Sequence, residues 1–70
     1  MKYILTEKSI TSESKKYVSY GIACEIEHID DISTELELVE KIVGVLNEGH
    51  VQAIHFKDVV VDMLIAHLSL

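Results

Sequence analysis

The hydrophobic period of this chain changes once, and that change limits the fold more than any other feature. From Tyr17 to Glu27 the side chains alternate. Val18, Tyr20, Ile22, Cys24 and Ile26 point one way, and Ser19, Gly21, Glu25 and Glu27 point the other, joined by Tyr17 and Ala23. A period of two over this length predicts a strand with one buried face. The segment from Lys2 to Ile10 is also rich in β-formers. The polar, turn-prone "TSESK" between them makes an antiparallel hairpin the economical arrangement, with a loop longer than the tightest types.

Past "IDDIST" the spacing becomes helical. Leu36, Val39, Ile42, Val43 and Leu46 recur at steps of three and four. Thr34 and Glu37 have capping-box spacing, and Gly49 can take the left-handed conformation that ends a helix. Gly44 lies inside the helix at about 1 kcal/mol relative to Ala, which a close approach by another element would explain. A second helix follows in "HFKDVVVDMLIAHL", His55 to Leu68, with Ile54 and Val59 spaced as a hydrophobic staple. Phe56, Val59, Val60, Met63, Leu64 and His67 share one side at about 100° per residue, and that side is expected to cover the sheet. The predicted fold class is α+β: an N-terminal antiparallel β-hairpin packed against two C-terminal helices (ββαα), in a single domain over residues 1–70.

Seventy residues make a marginal core, and folds of this size gain stability from disulfides, a structural metal or association. Cys24 is the only cysteine, so an intrachain disulfide and zinc-finger spacing are both excluded, and association is the remaining route. Twelve acids against six Lys and no Arg give a net charge of −6. Phosphate tracking needs clustered cations, and Lys15-Lys16 is the only adjacent basic pair, so nucleic acid is not an expected partner. The opening "MKYILTEKS" lacks the apolar run of a signal peptide, and the longest uninterrupted apolar run, "MLIA", cannot span a membrane. With an unpaired cysteine, the expected location is cytoplasmic.

Candidate chemistry is sparse. His55, Asp58 and Asp62 fall at i, i+3 and i+7 on one helix face, where imidazole and carboxylates could bind a divalent metal, with His50 as a further ligand. A solvated polar stripe explains the same residues with less, because a working site needs more ligands than this face supplies. His67 falls on the apolar side near the C-terminus and reads as a neutral histidine or as one favoured by the negative helix end, and Cys24 reads as a packed, inert thiol. Turn chemistry accounts for Asp30 and Asp31 beside His28. The chain carries no phosphate loop, zincin pair or serine elbow, so no cofactor and no catalytic residue is expected. One feature exceeds what a small core needs. Val61, Ile65 and Leu68 form a second apolar row on the last helix, which marks an interface with a second copy or another protein.

Four pieces of the chain, "SYGI", "DIS", the "N" ending the first helix and "HFKDVVVDML", together resemble a family of very short Firmicutes proteins, a domain of unknown function. Its members are similar in a terminal motif of His, a large apolar residue, Asp-Val-Val or Asp-Val-Ile, an acid, Asp and an aromatic. Here Met63 stands at the aromatic position and Val61 at the acidic one. The resemblance covers nearly the whole chain. It implies a stand-alone bacterial domain and brings no catalytic residue with it.

Overall fold

The computed structural model describes residues 1–69. Three strands, β1 (Ile4–Ser12), β2 (Lys15–Ala23) and β3 (His28–Ser33), precede two helices, α1 (Leu36–Glu48) and α2 (Ala53–Leu68). The strands form one antiparallel sheet in the order β1-β2-β3. This is the expected α+β arrangement of a hairpin followed by two helices, with a third strand added. The Cα envelope of 40 × 31 × 17 Å is thin in one direction, as a sheet with one helical layer requires.

The hairpin is tighter than expected. Ser12 pairs with Lys15, leaving Glu13-Ser14 as a two-residue loop, and Glu13 enters the left-handed region at φ 56°. Such loops ordinarily use Gly or Asn at positive φ, so Glu13 sits there under strain. The alternation in β2 holds only in part. Ile22 is fully buried and Tyr20 and Cys24 pack beside it, but Val18 lies 37% exposed and Ile26, in the bend after the strand, 72% exposed. The helices cover only the half of the hairpin nearest the chain's N-terminus, so side chains further out have nothing above them.

β3 is where "HIDDIS" departs from the turn expected for it. Its pairing jumps from Ile22↔Ile29 to Tyr20↔Ser33, so Asp30, Asp31 and Ile32 bulge opposite Gly21. Asp31 takes φ 55°, a conformation that Asp tolerates because its short side chain bonds locally. Here the Asp31 carboxylate accepts the hydroxyl of fully buried Ser19. Gly21 is required at this place: a Cβ would lie 2.4 Å from the carbonyl oxygen of Ile29.

The core consists of Tyr3, Ile22, Val39, Ile42, Leu46, Phe56 and Val60. Its unforeseen member is Tyr3. The Asn47 side chain accepts the Tyr3 amide at 2.8 Å and donates to the Tyr3 carbonyl at 3.0 Å. The phenol donates to the Val51 carbonyl at 2.7 Å, and its ring lies tilted on Phe56 at 4.9 Å. One residue thus joins the start of the sheet to the end of α1 and the first turns of α2. Burial pushes the phenol's pKa above its ordinary 10.0, with Cys24 and then Glu27 adding to the rise.

Helix ends differ from expectation in detail. The N-cap of α1 falls at Glu35 without a side-chain cap, so Thr34 and Glu37 form no capping box. Instead the Ser33 hydroxyl accepts the Glu35 amide. At the other end Gly49 is not left-handed, at φ −81°. His50 takes that role at φ 49°, with Val51 N–H bonded to Leu46 and His50 N–H to Asn47, the paired bonds of a Schellman ending. No element approaches Gly44, since a Cβ there would meet nothing within 4 Å. α2 starts two residues before His55, at Ala53, which places Ile54 inside the helix and 78% exposed rather than in a staple.

Candidate functional site

α2 carries most of the candidate residues read from the sequence, and its start at Ala53 sets which way each one faces. At 100° per residue, Phe56 and Val60 turn inward and are buried, with Val59, Met63 and Leu64 half-buried beside them. Turned away from these are four exposed aliphatic residues, Ile54, Val61, Ile65 and Leu68. They fall within an arc of about 60° and run about 21 Å along the helix. Val61, Ile65 and Leu68 are the row read from the sequence. Ile54, seven residues before Val61, extends it by two turns. Exposed Lys57 flanks the row on one side, and exposed Asp58 and Asp62 flank it on the other.

His55, Asp58 and Asp62 are all exposed and share the polar flank of α2, where they gain no further ligand. His50 is held at the end of α1 by the backbone turn it completes. Among the described residues, no three His, Cys, Asp or Glu side chains gather closely enough to hold a metal ion. His28 and Asp30 approach to 3.8 Å with both side chains exposed, a solvated pair on β3. Cys24 is half-buried at the end of β2, its amide bonded to the Glu27 carbonyl, with no histidine among its hydrogen-bond partners.

His67 is exposed rather than packed on the apolar side. Its Nε2 lies 3.1 Å from a Glu35 carboxylate oxygen and links the end of α2 to the start of α1. Below this pair an open groove of about 820 Å³ runs between the helices, over Leu36, Leu38, Met63 and Ala66. Glu35, Glu37, Lys41 and His67 complete its lining. Sequence reasoning missed the groove because it arises from which ends of the two helices meet. No helix among the described residues is long and apolar enough to cross a membrane.

A family model described as a family of unknown function, DUF6514, matches residues 1–66. The chain belongs to this family. The DUF6514 match takes in the whole sheet and α1 and ends at Ala66 within α2, so it includes Ile54, Val61 and Ile65 of the row. Comparison with curated proteins and with solved structures gave no match. DUF6514 membership therefore brings no reaction or ligand with it, and the functional reading rests on the geometry of α2.

Proposed function

We propose that this DUF6514 domain is a protein–protein interaction module that self-associates through the outward face of α2. The observation that supports this reading is the row Ile54, Val61, Ile65 and Leu68, exposed by 78, 42, 57 and 82%. Fully burying one such side chain contributes about 1.5–3 kcal/mol. Scaled by these exposures, the row offers roughly 4–8 kcal/mol per chain, and about twice that when two copies meet. Association itself costs an estimated 4–15 kcal/mol, so the row supports a weak, concentration-dependent dimer. The acidic balance, −6 without a single Arg, keeps anionic polymers away from the same face.

The test is mass against concentration. Light scattering on the wild-type chain is expected to show an average mass that rises through the micromolar range, with a melting midpoint that rises alongside it. Ile65→Glu is expected to lower that mass while leaving the far-ultraviolet circular dichroism unchanged. A mass that Ile65→Glu does not alter would overturn the reading, and the row would then serve a different protein.

A further inference from the structure

The aliphatic row on α2 is unevenly spaced. Val61 follows Ile54 by seven residues, Ile65 follows by four more and Leu68 by three, so one end is sparse and the other dense. At a rise of about 1.5 Å per residue the sparse end contains a gap of about 10 Å. Exposed Lys57 and Asp58 stand at the height of that gap, one on each side of the row. At about 100° per residue, Lys57 lies about 50° from the centre of the row, Asp58 about 50° the other way, and Asp62 about 90° round on the Asp58 side. The row therefore has a direction, and its two flanks differ in charge.

Resting on the α2 reading above, we propose that two copies meet with their α2 helices parallel, each Lys57 beside the partner's Asp58. Two identical helices that lie parallel about a two-fold axis bring opposite flanks together, whereas an antiparallel pair brings like flanks together. Charges on those flanks are what select the orientation of paired helices. Parallel pairing sets Ile54, Val61, Ile65 and Leu68 each against its own copy and lays gap over gap. Across the gap Lys57 and Asp58 then meet twice, once from each chain. The antiparallel overlay that matches most of the row sets Ile54 against the partner's Leu68 and Val61 against the partner's Val61. It leaves Ile65 over the gap. It also gathers Asp58 and Asp62 of both chains on one side, each Asp58 within about 3 Å in height of the partner's Asp62. No lysine of α2 lies on that side, so the clustered carboxylates repel without relief. Spacing and charge favour the same orientation independently.

Asp58→Lys separates the two orientations by sign. In the parallel pair the new lysine faces the partner's Lys57, and sedimentation equilibrium is expected to show dimerisation weakened about fivefold. In the antiparallel pair it faces the partner's Asp62, and association strengthens. The substitution also moves the net charge of −6 two units toward zero, which by itself favours association, so general repulsion does not imitate the expected result. Cross-linking asks the same question by distance. Ile54→Cys and Leu68→Cys, at positions 78 and 82% exposed, are oxidised singly and as an equimolar mixture, and linked peptides are identified by mass spectrometry. Each variant alone is expected to form a disulfide with its own copy, since a bridge needs Cα atoms within about 7 Å. Links that appear only in the mixture and join position 54 to position 68, or an Asp58→Lys chain that associates more tightly, overturn the parallel pairing and leave the α2 reading standing. No link at these positions in any sample also overturns the pairing. An Ile65→Glu mass equal to that of the wild type overturns the α2 reading and the orientation with it.

Discussion

α1 and α2 lie in the same layer, are joined by a short turn, and use their apolar residues in different ways. α1 concentrates Val39, Ile42 and Leu46 on one stripe, buries all three, and faces outward with Glu37, Glu40, Lys41 and Glu48. It rests on all three strands, which take up most of its apolar stripe and leave Leu36 and Val45 partly exposed. α2 is longer, buries only Phe56 and Val60, packs mainly on α1, and exposes four large aliphatic residues on its far side. Apolar content alone therefore does not tell how deeply a helix is buried. A helix apolar on two sides has one side to spare, and on α2 the spare side is a continuous row rather than scattered residues.

The largest expected difference between the helices is in truncation. Leu46→Ala opens a cavity beneath α1 and should cost about 2–5 kcal/mol. Val61→Ala on the outward side of α2 should cost less than about 1 kcal/mol at low protein concentration, where association does not contribute. Urea melts at nanomolar to low micromolar concentration check both. Equal losses at the two sites would mean that the outward row of α2 is covered within the monomer, and the contrast would fail.

Tyr3 sharpens the comparison because it binds both helices to the sheet. Tyr3→Phe keeps the ring on Phe56 but leaves the Val51 carbonyl without its donor, an expected loss of about 1–2 kcal/mol. The same variant should alter the alkaline limb. Folding raises the phenol's pKa, so above the ordinary 10.0 the folded state holds a proton that the unfolded chain has released. The contribution is complete below pH 10 and is lost as pH rises through the folded value. Wild-type stability should therefore fall across that window more steeply than that of Tyr3→Phe. Parallel pH profiles would remove burial as the cause.

The hairpin, both helices and three members of the α2 row could be read in the sequence because each depends on local periodicity. The rest depended on distance. β3 was hidden because Asp30 and Asp31 are turn residues locally, and Asp31 does take the left-handed conformation, but inside a bulge that only pairing with β2 reveals. Tyr3 belongs to the core through Asn47, Val51 and Phe56, all more than forty residues away in the chain. Ile54 has the spacing of a staple and "AIH" gives no cap signal, yet a two-residue shift in where α2 begins changes which way that side chain faces. The end of α1 shows the same sensitivity: Gly49 carries the residue type for the left-handed position, and His50 carries the conformation.

The smallest expected effect tests whether the outward side of α1 is as free as its polar residues imply. Gly44 lies there, and a methyl group added to it meets nothing within 4 Å. With no clash to offset, Gly44→Ala should stabilise by the helix-interior cost of glycine, about 0.5–1 kcal/mol. Ala66→Gly, exposed near the end of α2, should lose a similar amount if that end is as firmly helical, and less if it frays. The informative combination is stability together with mass. A gain from Gly44→Ala with no change in self-association would leave α1 as the helix that serves the monomer and α2 as the helix that serves contacts. A fall in association mass from the same methyl would show that a partner's backbone comes close over Gly44. The outward side of α1 would then belong to the interface as well, and a glycine with open space above it would be explained by what closes that space in the assembly.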